Sequence, residues 1–208
     1  MHTIQYKLIE FFLLFIVLPI SLALNYLIWV KLIIGFFGFV YIVLVLIKTK
    51  GNSFKVSKNI QWKTFWKQIL IKFLGIVFIT TLFVWFTNKE ALFNVLLNKP
   101  KLWIFILFIY SFFSVYPQEL IYRTFFFQRY KTLFTNKNLI IFINAIVFSL
   151  AHIFFRNSLV MALTFLGGIL FAITFYKTRS TLLVTIEHAI YGSWLFTVGM
   201  GNMLGFPS

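Results

Sequence analysis

The feature that most constrains this chain is a series of apolar runs, each close to the length of a bilayer crossing and separated from the next by short polar turns. A helix needs about 20 predominantly apolar residues to cross the hydrocarbon layer. Runs of that kind lie at Leu8–Leu24, Tyr26–Ile47, Ile69–Phe86, Leu102–Phe127, Leu139–Phe155, Leu159–Tyr176 and Thr181–Met200. Backbone polar groups in hydrocarbon must be satisfied within their own segment, so the runs predict helices rather than open strands. The expected fold is all-α, a polytopic transmembrane helix bundle of about seven spans, with six and eight as the neighbouring counts. A very short turn near Asn25 joins the first two runs, and Pro19 is placed to kink the first.

Composition agrees: 61% of residues are hydrophobic and 11% charged, where a soluble domain carries about a quarter charged residues. An ordinary water-soluble globule is ruled out. Lys7, the apolar stretch from Leu8 and the small residues Ser21 and Ala23 imitate a cleavable signal peptide. Similar runs continue to the carboxyl end, so this segment is read as the first span. Cysteine is absent, which removes disulfides, thiol nucleophiles and thiolate metal sites from consideration.

The 19 Lys and Arg stand against 4 Asp and Glu, a formal net charge of +15. In a soluble chain that excess would suggest nucleic acid. Here the basic residues fall between apolar runs, as the positive-inside rule requires, so the bilayer is the expected partner and nucleic acid is not. The longest polar stretch, Lys48 to Lys67, contains Lys48, Lys50, Lys55, Lys58, Lys63 and Lys67 and is expected to be cytoplasmic. Alternating from there places these lysines inside together with Lys7, Arg129, Lys131, Lys137, Lys177 and Arg179. It places Lys31, Lys89, Lys99, Lys101 and Arg156 outside. The first set is the larger, so the reading is a multi-pass protein of the cell membrane with a cytoplasmic amino terminus and an external carboxyl terminus. No internal repeat supports an inverted-repeat transporter. Residues 1–208 read as a single membrane domain, with amino-terminal spans and the basic loop in 1–100 and the functional core in 101–201.

An ionisable side chain inside a span costs several kcal/mol unless it is paired or faces a wet cavity. The spans hold few of them: Lys72, Glu119, Arg123, His152, Glu187 and His188. Glu10 reads as a membrane-edge acid beside Lys7, and Glu90 as a loop acid beside Lys89. Glu119 and Arg123 are four apart and share a helix face, just after Pro117 and Gln118. Asn144, Phe148 and His152 recur at the same spacing in the fifth span, and His188 is followed by Gly192, which leaves open space on the histidine face. At about 1.5 Å per residue, Glu119, His152 and His188 lie about 13, 20 and 12 Å from the cytoplasmic ends of their spans, close enough to share one layer. One carboxylate and two imidazoles in one layer suit hydrolysis: the carboxylate takes a proton from water and imidazole donates to a developing oxyanion.

At these residues the chain resembles the CPBP intramembrane proteases, which include the CAAX prenyl proteases of the Rce1 type and the bacterial Abi-type proteins. The family pattern is usually written EExxxR, FxxxH and HxxxN. This chain offers Gln118-Glu119-Leu120-Ile121-Tyr122-Arg123, Phe148-Ser149-Leu150-Ala151-His152 and His188-Ala189-Ile190-Tyr191-Gly192, in that order, from Leu102 to Met200. The resemblance implies an intramembrane endopeptidase acting on a membrane-associated peptide or protein. Glu119, Arg123, Phe148, His152 and His188 carry over directly. Two positions depart: Gln118 stands where the water-activating glutamate is usual, and Gly192 where an asparagine helps to hold the oxyanion.

Because a neutral amide is no base, Glu119 is expected to activate water, Arg123 to orient it, and His152 and His188 to stabilise the tetrahedral intermediate. Phe148 is expected to pack the site, Gln118 to position water or substrate, and Gly192 to leave room for the chain being cut. Glu187, beside His188, is the other candidate for a second carboxylate, although helix neighbours point about 100° apart. No cofactor is expected. The alternative is a zinc ion on Glu119, His152 and His188, which lacks the His-Glu-x-x-His spacing. The competing functional reading is a non-catalytic membrane interaction or immunity protein on the same scaffold, for which Gln118 and Gly192 are the evidence. A transporter rests on the intramembrane charges alone. The residues themselves specify no prenyl group.

Overall fold

The computed structural model describes residues 3–49 and 60–205. Lys50, Lys55 and Lys58 of the expected cytoplasmic loop lie outside the described residues. The described chain is helical throughout, without a strand. Its principal helices are α1 (Ile4–Leu22), α2 (Ile28–Lys48), α3 (Trp62–Thr87), α4 (Asn94–Asn98), α5 (Pro100–Tyr130), α6 (Lys137–Leu150), α7 (Ser158–Thr178) and α8 (Thr181–Val198).

Among the described residues α1, α2, α3, α5, α7 and the segment Lys137–Phe155 that contains α6 are long and apolar enough to cross a membrane. The seventh expected span is α8, which Glu187 and His188 make more polar. It lies inside the bundle against α3, α5 and α7 rather than facing outward. A polar helix is tolerated there because its ionisable groups meet partners instead of lipid. The outer surface, by contrast, presents Phe36, Phe37, Phe78, Phe86, Phe112 and Phe113, an apolar coat suited to acyl chains. The molecule is thus an all-α multi-pass bundle.

Helix ends follow local chemistry. Asn136 and Asn157 cap α6 and α7 by accepting from Asn138 and Leu139 and from Leu159 and Val160, and Ser180 caps α8. Gly199 ends α8 at φ +107°, where a Cβ would collide with the Ala91 carbonyl. Its left-handed backbone and the close approach of the α3–α4 connection both require glycine.

Neither proline breaks its helix. Pro19 follows a π-helical stretch at Leu13–Val17, and Pro117 lies between π stretches at Tyr110–Val115 and Leu120–Phe125. Proline removes an N–H and crowds the carbonyl of the preceding turn, and a widened turn accommodates both. The expected distortion at Pro117 is therefore a locally unwound helix that continues through Glu119 and Arg123. In lipid, helix association rests on close packing rather than on apolar burial. One close backbone contact is between α6 and α7, where a Cβ on Gly168 would sit 3.0 Å from Ala145 Cα. Around it an aromatic core of Phe15, Phe125, Phe126, Phe127, Tyr130, Phe148, Phe171 and Phe175 fills the bundle.

Candidate functional site

The site begins with Glu119, wholly buried at the end of the α-helical turn Tyr116–Glu119 between the two π stretches of α5. Its Oε1 lies 2.7 Å from Nδ1 of His188 on α8. Its Oε2 lies 3.3 Å from Nε of Arg123, which is also wholly buried. That contact is an ion pair without hydrogen-bond geometry, and among the described residues no guanidinium nitrogen of Arg123 has a hydrogen-bond partner. Arg123 is held instead by charge and by rings, its guanidinium 4.6 Å from the centre of Phe148 and 5.8 Å from that of Phe171.

The same rings set the histidines. Phe171 stacks on His188 at 4.3 Å, and Phe148 meets His188 edge-on at 5.6 Å and His152 at 4.9 Å. Phe148 thus separates and aligns the two imidazoles. His152 lies just past the end of α6, not on its helical face as the four-residue spacing implied, because the chain turns at Ser149. Its Nδ1 is 2.8 Å from the Phe148 carbonyl. A carbonyl only accepts, so Nδ1 carries hydrogen and Nε2 of the neutral ring is a lone pair. Asn144, on the same stripe, turns away and donates to the Tyr122 carbonyl at 2.5 Å, where it satisfies a backbone group beside the unwound turn.

Gln118 directs its amide nitrogen at Ser114 Oγ, 2.8 Å away, and its oxygen has no partner among the described residues. Three expectations change. Gly192 leaves no open space: the Tyr110 hydroxyl occupies the volume a Cβ would take. Glu187 is ion-paired with Lys72 of α3, so it faces away from the Glu119–His188 pair, as the 100° separation of helix neighbours allows. Glu10 is paired with Arg129 rather than with Lys7. It is buried, accepts from Arg129 Nε at 2.7 Å and Nη2 at 2.9 Å, and is bonded by Tyr41 and Tyr130.

Among the described residues no three His, Cys, Asp or Glu side chains gather as a metal-holding group. Of the alternative ligand set, Glu119 and His188 are bonded to each other and His152 turns Nδ1 to a carbonyl.

The arrangement presents a buried carboxylate bonded to an imidazole, a second imidazole with a free lone pair, and a guanidinium fixed between aromatic faces. Residues 100–194 match the family described as type II CAAX prenyl endopeptidase Rce1-like. The segment carrying the three motif pieces therefore matches the protease family that those residues resemble. No curated protein and no solved structure matches the chain.

Proposed function

With residues 100–194 Rce1-like, we propose that the chain is an intramembrane endopeptidase in which Glu119 accepts the proton of the attacking water. The observation that carries this reading is the 2.7 Å contact between Glu119 Oε1 and His188 Nδ1, between helices more than sixty residues apart in sequence. Arg123 orients the carboxylate from the other side. His152, with its Nε2 lone pair, accepts a hydrogen bond from the water and aims its oxygen.

In this scheme the water oxygen bonds to the carbonyl carbon of the scissile peptide and its proton passes to Glu119. The carbonyl electrons move onto oxygen, where an Nε2–H of His188 donates to the oxyanion; for that the ring carries hydrogen on both nitrogens, and the oxyanion takes over from Glu119 the charge that balances it. Collapse of the tetrahedral intermediate breaks the C–N bond, and Glu119 returns the proton to the leaving nitrogen. The products are a carboxylic acid and an amine, which exchange a proton to become a carboxylate and an ammonium. The two histidines thus divide their work, one on water and one on the oxyanion. No cofactor enters, so cleavage should persist after chelation by EDTA and phenanthroline; loss of cleavage restored by zinc would overturn that point.

The family description makes a farnesylated CAAX peptide the first probe, with the unprenylated peptide beside it. In reconstituted bilayers Glu119→Gln should lower cleavage by about 10²–10⁴-fold. Undiminished cleavage would remove Glu119 as the base. Gln118, a neutral amide in place of a carboxylate, with its nitrogen bonded to Ser114, favours the second reading, a scaffold that binds a membrane peptide without cutting it. Comparison of membrane peptides from cells with the protein, without it and with Glu119→Gln separates the two: products dependent on Glu119 decide for the enzyme.

A further inference from the structure

We infer that the Tyr110 hydroxyl is a second oxyanion donor, acting beside His188 in the place that Gly192 vacates. The inference rests on the endopeptidase reading and adds a residue to it. Tyr110 is on α5 at the start of the π stretch Tyr110–Val115, and it is 8% exposed. On α8, His188, Gly192 and Phe196 recur every four residues and form one stripe. The Tyr110 ring lies along that stripe, 4.8 Å from the Phe196 ring and edge-on to His188 at 6.1 Å. Its hydroxyl is over Gly192, where any Cβ would overlap it.

Three observations make this hydroxyl more than packing. It makes no hydrogen bond among the described residues, and its oxygen is not one of the fully enclosed unpartnered atoms, so it is free to donate. It is within electrostatic reach of the Glu119 carboxylate. The other donors nearby are directed elsewhere: His152 Nδ1 to a carbonyl, the Gln118 amide nitrogen to Ser114, and the Arg123 guanidinium to the Glu119 carboxylate and the Phe148 and Phe171 rings. A tetrahedral oxyanion is best held by two fixed donors, and His188 supplies one. The phenol, carried on a rigid ring and one helical turn from His188, supplies the other. The asparagine of the resembling motif and the phenol compete for one volume, so the glycine is what admits the tyrosine.

The test uses the full chain in bilayers, with the farnesylated and unprenylated peptides and a peptidyl phosphonamidate as a tetrahedral mimic. Tyr110→Phe keeps the ring contacts and removes only the donor. It should lower kcat about 100-fold, leave KM unchanged and weaken the mimic by a similar factor while substrate affinity holds. Gly192→Asn alone should lose cleavage, because Tyr110 fills the space. Tyr110→Ala with Gly192→Asn should recover cleavage above Tyr110→Ala alone, since the amide then has room to donate. Tyr110→Phe with wild-type kcat, or a folded double variant no better than Tyr110→Ala, overturns the assignment and leaves the Glu119 scheme standing. Wild-type protein that neither cleaves nor binds the mimic overturns the endopeptidase reading and Tyr110 with it.

Discussion

Lys72 of α3 and Glu187 of α8 form an ion pair inside the bundle, the carboxylate fully buried and the lysine side chain 26% exposed. Arg123 feels both Glu119 and Glu187, so Lys72 occupies the carboxylate that would otherwise compete for the guanidinium. Lys72→Met should destabilise the protein by about 3–5 kcal/mol, because it leaves a buried charge unpaired. Lys72→Met with Glu187→Gln should recover most of that loss. Equilibrium unfolding in detergent, taken as a double-mutant cycle, checks the pair; two losses that simply add would show that the groups do not interact.

This pair also marks the limit of what the residues disclosed in order. The spans were legible because apolar runs of bilayer length leave a helix no alternative, and α8 was found despite Glu187 and His188. Glu119, His152 and His188 were legible as one layer because depth along antiparallel spans is counted from the sequence, whereas the bond between Glu119 and His188 was not. Lys72 and Glu187 were not paired, since nothing local connects two residues on separate spans. Each was nevertheless a lone charge within a span, and matching such charges across spans was the available signal. Glu10 was misplaced for a related reason: Lys7 is its neighbour in sequence, but Lys7 donates to Thr132 while Arg129 takes the carboxylate. Tyr110 had no signal at all, because an aromatic in an aromatic-rich span reads as packing.

Glu10, Arg129, Tyr41 and Tyr130 tie α1 and α2 to the end of α5 through a two-pronged guanidinium–carboxylate bond. Planar two-point pairing is specific to arginine. Arg129→Lys should therefore lose about as much stability as Arg129→Ala, and both about 2–4 kcal/mol in unfolding experiments. Recovery of wild-type stability by lysine would show that charge alone holds the cluster.

The contact of Gly168 with Ala145 supports the site without touching it. Gly168→Leu must push α7 from α6, since the added Cβ would stand 3.0 Å from backbone. The displacement moves Phe171 against Phe148, the rings that bracket Arg123 and His188. Cleavage should fall at least 10-fold, with a loss of about 1–3 kcal/mol in stability from overpacking. Gly35→Leu on α2 is the comparison: nothing lies within 4 Å of its Cβ direction, and both properties should stay near wild type.

Which side of the membrane each end faces is testable without background, because the chain has 0 cysteines. Lys7 reaches Thr132 at 2.9 Å, so the start of α1 and the α5–α6 turn share one face. Arg156 reaches Asn25 at 2.5 Å and the Ala23 carbonyl at 2.9 Å, so the α1–α2 turn and the α6–α7 turn share the other. The structure pairs these faces, and the positive-inside rule chooses between them, since the lysine-rich set lies on the Lys7 side. Single cysteines at Lys177 and Lys89, both exposed, report the choice. In intact cells a membrane-impermeant maleimide should label Lys89→Cys and spare Lys177→Cys until the membrane is opened. The reverse pattern would invert the topology and place the amino terminus outside.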